Sequence, residues 1–148
     1  MFNLAGVLSI KTFKDGKLVR ELGPFKNKVV TSSGYGRNLI LRAMAGDTTY
    51  PIEIDSAAVG SNSTAAVDGD TNLNTVVHSG LSITNASVSN NVLTIDVFVA
   101  DATLTNVTYR EFGLFADGRL ISRVIISPDY TKGAGEETLF AYTLTMTG

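Results

Sequence analysis

The residues that could support catalysis are few. His78 is the single imidazole of the chain, and there is no Cys. A hydrolytic triad needs a base beside its nucleophile, and the segment VVHSG around His78 has no nucleophile-elbow pattern. We therefore expect His78 to be an ordinary strand or loop residue, and we predict that the chain is not an enzyme.

Paired carboxylates could act as an acid and a base or bind a cation. Asp68 and Asp70 flank a glycine, but the segment lacks the bidentate Glu and the regular oxygen spacing of a calcium loop. Glu136 and Glu137 are adjacent, so on a strand they point to opposite faces. A solvated turn is the simplest interpretation of the Asp pair. We expect no metal ion, no cofactor and no catalytic residue.

Phosphate binding is the third chemistry to consider. Gly34 and Gly36 precede a possible helix, but the full glycine pattern of a phosphate-binding loop and its lysine are missing. With 12 basic and 14 acidic residues, the net charge of -2 leaves no positive excess for a nucleic-acid backbone. No apolar stretch reaches the roughly 20 residues of a membrane-spanning helix. We expect neither nucleic acid nor a membrane as a partner.

The elements that would position these residues are mainly β-strands, because Thr, Val, Ile, Ser, Asn and Gly dominate the 148 residues. Asp-Gly pairs at 15–16 and 117–118 suit two-residue hairpin turns, and Ser89-Asn90-Asn91 marks another turn. The Gly23-Pro24 pair should end the first hairpin. The predicted strands are 7–13, 18–22, 28–31, 81–88, 92–99, 107–115, 120–126 and 137–146.

One short helix is predicted, at about residues 33–45. Its apolar residues recur near the helical period, Ser32-Ser33 could cap it, and Gly46 could end it. Residues 61–72 are small and polar, which predicts a long exposed loop of a kind that is commonly functional. We expect one continuous domain, with an N-terminal arm and hairpin at 1–26 and an antiparallel β-sandwich or barrel at 27–148.

The segment YREFGLFADGRLISR (109–123), followed by ISPDYTKGAGEETLFAYTLTM, carries a family resemblance. It resembles the C-terminal part of a domain of phage tail-fibre and tail-collar proteins, in which an Arg-Glu-Phe/Met-Gly-Leu-Phe hairpin precedes a Pro-containing loop and a long strand. Residues 110–115 match that motif one for one. Upstream, VVTSSGYGRNLILRAMAGD and AAVGSNSTAAVDGDTNLNT are similar to the same family, so the likeness covers about residues 27–146. Prolines common in the family's loop are missing here, and residues 1–25 add a hairpin.

The resemblance implies the N-terminal attachment domain of such fibres, and no shaft follows it in this sequence. We therefore expect a stand-alone structural protein of a tailed-bacteriophage virion, made in the bacterial cytoplasm. The first hypothesis is a tail, collar or fibre-attachment component that docks with tail or baseplate proteins. The alternatives are a capsid decoration protein that binds the major capsid protein, with residues 1–6 as a clamping arm, and a receptor- or glycan-binding module. A homo-oligomer is expected, with a trimer favoured.

Strand alternation divides the motif residues into two groups. The residues expected mainly in the core are Arg110, Phe112, Gly113, Leu114 and Phe115, where Gly113 leaves space for close packing. Residues on the exposed face are candidates for intersubunit contacts, since Tyr and Arg are enriched at interfaces. These candidate interface residues are Tyr109, Glu111 and Arg123, together with Asp68 and Asp70 of the loop.

Overall fold

A computed structural model describes residues 3–148; Met1 and Phe2 lie outside the described residues. The described chain forms nine strands and one helix. They are β1 (Asn3–Lys14), β2 (Lys17–Val29), α1 (Arg37–Met44), β3 (Ser56–Gly60), β4 (Val76–Ser82), β5 (Asn85–Ser89), β6 (Val92–Val99), β7 (Thr108–Ala116), β8 (Arg119–Thr131) and β9 (Glu136–Thr147).

The strands form one antiparallel sheet in the order β4-β3-β7-β8-β2-β1-β9-β6-β5, which curls into a half-barrel. The prediction of a mainly β, antiparallel protein with one short helix is confirmed. Of the two architectures expected, the observed one is nearer to a barrel, because a single sheet curls around its own core. Residues 3–6, expected as part of a clamping arm, lie in β1 and pair with residues 144–147 of β9.

Two tight hairpins follow the predicted Asp-Gly turns. Asp15 and Gly16 join β1 to β2 with φ angles of 52° and 75°, and Asp117 and Gly118 join β7 to β8 with φ angles of 49° and 75°. Positive φ at both central residues matches the right-handed twist of the flanking strands. The local sequence therefore fixes the register of both hairpins.

Strand β2 continues through Gly23-Pro24, which we expected to end it. A register shift between Leu8 and Ile10 of β1 lies opposite this pair, and pairing resumes at Phe25. At such an irregularity the strand does not need the backbone N–H that proline lacks. The predicted strand 28–31 is instead the end of β2, where residues 27–29 leave β1 and pair with β8.

Two further strand predictions were wrong in their bounds. The predicted strand 81–88 is divided between β4, which pairs with β3, and β5, which pairs with β6 at the opposite edge of the sheet. Strand β8 extends past Ser127-Pro128 to Thr131, beyond the predicted end at residue 126. A register shift opposite, between Tyr109 and Glu111, accommodates the extra residues.

Helix α1 lies within the predicted range but begins at Arg37. Its N-cap residue is Gly36, with a φ of 50°, and neither Ser32 nor Ser33 caps it. The Arg37 N–H donates instead to the Val30 carbonyl oxygen at 2.9 Å. Gly46, with a φ of 77°, follows the last turn as predicted.

The main core fills the inside of the curl. Strand β9 alternates between its two faces, since Phe140, Tyr142 and Leu144 point inward and are buried. A second apolar cluster lies on the outer face of the sheet, opposite the main core. Its buried members are Val30, Ala58, Leu73, Phe115 and Leu120.

Candidate docking surface

Residues 61–75, called the anchored loop below, cross the outer face of the sheet beside β7. Three backbone N–H groups of this loop donate to the carboxylate of one residue, Glu111 of β7. The distances are 3.1 Å from Asn62, 2.9 Å from Asn74 and 2.9 Å from Thr75. Glu111 is fully buried. A single carboxylate thus fixes both ends of the loop.

A buried arginine balances the charge of that carboxylate. Arg123 of β8 donates from Nε to Oε1 of Glu111 at 2.9 Å, and its Nη1 lies 3.4 Å from Oδ2 of Asp70. Its Nη2 has no hydrogen-bond partner within residues 3–148. Removing one partner of a buried pair leaves an uncompensated charge, which is strongly destabilising. Glu111 and Arg123 therefore depend on each other.

The tip of the anchored loop is exposed but held in place. The Thr31 N–H donates to the Asp68 carbonyl oxygen at 2.9 Å, and Lys28 Nζ lies 3.2 Å from Oδ1 of Asp68. The Val67 N–H donates to Oδ2 of Asp70 at 3.0 Å. The side chain of Asp68 is 66% exposed and Val67 is 55% exposed. The tip thus presents both side chains to solvent on a backbone that is already ordered.

Close packing between the loop and the sheet requires Gly113. A Cβ atom at this position would lie 2.9 Å from Cδ2 of Leu73, 3.0 Å from Phe115 and 3.1 Å from Leu120. Leu73 is the buried apolar residue of the anchored loop. The missing side chain lets Leu73 sit directly on the backbone of β7.

The structure corrects the expected exposure of several motif residues. Tyr109, Glu111 and Arg123 are fully buried, although we expected them on an exposed face. The anchored loop covers Glu111 and Arg123, and the register shift after Tyr109 turns that ring into the main core. The shift also brings Arg110 partly to solvent, where it pairs with Asp129 at 2.9 Å instead of entering the core. The buried apolar motif residues are Phe112, Leu114 and Phe115.

Of the candidate interface residues, Asp68 and Asp70 lie on the anchored loop, and Asp70 is largely covered through its contact with Arg123. Sequence reasoning missed that Glu111 and Asp70 share this arginine. A carboxylate on a central strand, diagonal to an arginine that lies opposite Gly113 on the next strand, was the available signal.

The buried hydroxyl groups of the interior form structural networks. Tyr142 donates to Oγ of Ser122 at 3.0 Å and accepts a hydrogen bond from Asn27, whose side-chain oxygen accepts from the Gly6 N–H at 2.7 Å. Burial raises the pKa of Tyr142 to about 12. Burial likewise raises the pKa of Tyr109, which donates to the Leu104 carbonyl oxygen. Both phenols are therefore neutral at physiological pH.

The residues considered for catalysis or metal binding do not come together. His78 is exposed on edge strand β4. Glu136 pairs with Arg20 at 3.2 Å, and Glu137 lies opposite Phe13. Residues 3–148 contain no group of three or more His, Cys, Asp or Glu side chains that could hold a metal ion. Within the same residues, no helix has the length and apolar character needed to cross a membrane.

An apolar groove of about 460 Å³ opens at one end of the half-barrel. Hairpin β5–β6 forms one wall, the segment between α1 and β3 forms the other, and Leu4 and Leu144 lie between them. Among residues 3–148, Glu53 is the only charged residue of its lining. Sequence reasoning missed this groove because its residues come from distant parts of the chain. The apolar residues that line it are Leu4, Ile40, Ile52, Ile54, Ala86, Val88, Val92, Leu93, Ile95, Ile121, Leu144 and Met146.

Comparison of the chain with protein-family models, with curated proteins and with solved structures gave no match. The likeness of residues 110–115 to the tail-fibre and tail-collar motif is thus the source of the functional hypothesis developed next.

Proposed function

We propose that this chain is an accessory structural protein of a tailed-bacteriophage virion, acting as a tail, collar or fibre-attachment component through docking to other virion proteins. The observation that carries the proposal is the arrangement around Glu111. The Glu of the motif that resembles tail-fibre and tail-collar proteins binds three backbone N–H groups of an exposed loop. The motif and the loop therefore act as one unit.

The physical argument concerns loop order. Binding residues are often carried by loops on rigid scaffolds, and a loop that is already ordered loses less conformational entropy on association. A buried ion pair adds little net stability compared with apolar packing. Its presence under the anchored loop supports a role in presenting that loop to a partner. Val67 and Asp68 at the exposed tip are the residues we assign to the contact.

Location is tested by immunogold labelling of purified particles of a phage that encodes the chain. An antibody against the chain should label the tail, collar or baseplate, and antibody absorbed with the purified chain should not. Labelling of capsid faces alone would refute the tail placement and favour the capsid decoration alternative. Particles without any label, combined with absence of the chain from their protein content, would refute the virion role.

The docking role of the loop is tested by incorporation into particles. Val67→Lys should reduce the amount of chain in purified particles by about tenfold or more, because a charge enters a packed contact. Val19→Lys is the matched control, since Val19 is 53% exposed on β2 and distant from the loop in sequence. Equal incorporation of both variants would exclude the anchored loop as the docking surface.

A further inference from the structure

We propose that two copies of this chain associate about a two-fold axis through the free edge of β5, and that this contact joins their apolar grooves side by side. The proposal concerns self-association in solution and does not depend on the virion role.

Strand β5 is an unprotected sheet edge. It pairs with β6 on one side only, and all five of its residues are exposed. Sheet edges in soluble proteins are normally protected by charged residues, by Pro or by a covering segment. The sequence of β5, NASVS, contains neither a charge nor Pro. Its unpaired backbone groups are free to bind another strand.

The other sheet edge is less suited to this role. Strand β4 pairs with β3 through two register shifts, and it contains Gly80 at a φ of 72°. These irregularities disturb the row of backbone groups that an added strand would need. Strand β5 keeps an uninterrupted register with β6 from Asn85 to Ser89. The regular edge is therefore the one beside the groove.

Strand β5 is complementary to itself. In an antiparallel pair centred on its middle residue, Ser87 of one copy faces Ser87 of the other, and Ala86 faces Val88. No like charges meet across this axis, where they would be destabilising. A second copy could thus hydrogen-bond the unpaired backbone groups of β5 without any change in the strand.

The groove supplies the apolar part of the contact. Ala86 and Val88 lie on the groove side of β5, and Val88 is 72% exposed. Two-fold pairing would bring the two grooves side by side and place Val88 of each copy against Ala86 of the other. Eleven of the 16 residues that line the groove are exposed or half-buried, and Asn85, Ser87 and Ser89 complete the strand. This set is smaller than the roughly 20 residues that each partner contributes to a standard interface, so we expect a weak dimer.

The test places a positive or a negative charge at Ser87 and measures self-association by sedimentation equilibrium. The wild-type chain should form a dimer with a roughly micromolar dissociation constant, the weak end for interfaces of this size. Ser87→Lys and Ser87→Asp should each weaken self-association by at least about tenfold, because opposed side chains lie about 5 Å apart. An equimolar mixture of the two variants should recover dimers, because opposite charges then face each other.

Ser79→Lys on β4 is the matched control and should leave the dimer unchanged. Circular dichroism and thermal unfolding establish that each variant is folded. Because Ser87 is exposed, both Ser87 variants should keep the native fold. The proposal would be overturned if the wild-type chain were a monomer. It would also be overturned by a trimer, the oligomer that the sequence led us to favour. It would be overturned equally by unchanged association of Ser87→Lys. Failure of the mixed variants to associate would exclude the two-fold pairing.

Discussion

Replacing Glu111 by Gln tests how the anchored loop is held. In the native protein, Oε1 accepts from Asn74 and Arg123, while Oε2 accepts from Asn62 and Thr75. A glutamine keeps one oxygen, so at least two of the four contacts are lost and the rest lose their charge. Hydrogen bonds to a charged group contribute about 1.5–3 kcal/mol each. Breaking a buried ion pair costs about 3–5 kcal/mol, so both routes predict a loss of about 4 kcal/mol.

Urea denaturation and thermal unfolding measure this loss of stability, and hydrogen exchange shows where it occurs. At about 2–4 °C per kcal/mol for a chain of this size, the midpoint of thermal unfolding should fall by about 8–16 °C. The amides of Asn62, Asn74 and Thr75 should lose protection before the rest of the sheet. Asp129→Asn is the matched control, since it makes the same acid-to-amide change outside the anchored loop. Its pair with Arg110 is partly exposed, so the change should cost no more than about 1 kcal/mol.

Glu111 both pairs with Arg123 and accepts hydrogen bonds from the loop N–H groups. A double variant separates these two roles. Glu111→Met with Arg123→Met removes both charges, which for an isolated buried pair is often neutral. Here we expect the double variant to remain destabilised, because the three loop N–H groups lose their acceptor. The reasoning would be refuted if Glu111→Gln unfolded within 1 kcal/mol of the wild-type chain, or if the three amides kept their protection.

Two further predictions concern packing and pH. Gly113→Ala should destabilise the fold by about 1–3 kcal/mol in urea denaturation, because the new methyl group meets Leu73. Adding Leu73→Ala to the same chain should relieve part of this loss. An unchanged urea midpoint for Gly113→Ala would contradict the packing argument. The pKa of Tyr142 is about 12 in the fold, against 10.0 for an ordinary tyrosine. Its native state holds the proton more tightly, so its stabilisation is complete below pH 10 and falls by roughly 2 kcal/mol as pH rises from 10 to 12. The free energy of unfolding of Tyr142→Phe should decline less steeply over that range, and equal slopes would count against the buried phenol.

Local chemistry made much of the fold predictable. The Asp-Gly turns specify positive φ angles, so the hairpins at Asp15 and Asp117 follow from the sequence. The alternation in β9 and the apolar spacing of α1 are likewise properties of neighbouring residues. The division of residues 81–88 between two sheet edges was not predictable, because a run of β-prone residues does not show where the chain leaves one partner for another.

The candidate docking surface was less predictable than the fold. Alternation indicates which strand residues share a face, but it does not show whether that face is covered. Glu111 and Arg123 are buried because the anchored loop returns over them. Tyr109 and Arg110 lie on the faces opposite to those we expected, because of one register shift between β7 and β8. That shift depends on the length of β8. Both effects arise from contacts between residues far apart in the sequence.

The pairing of β1 with β9 has a consequence for the order of folding. Residue 3 pairs with residue 147, and the two strands share 12 residue pairs at the centre of the sheet. During synthesis on the ribosome, β1 must therefore wait until residues 136–147 have emerged before it can pair with β9. Sheets dominated by such distant pairings fold slowly, typically in milliseconds to seconds. Until then one long edge of β1 stays open to wrong partners, so a chaperone that binds the nascent chain should raise the yield of folded protein.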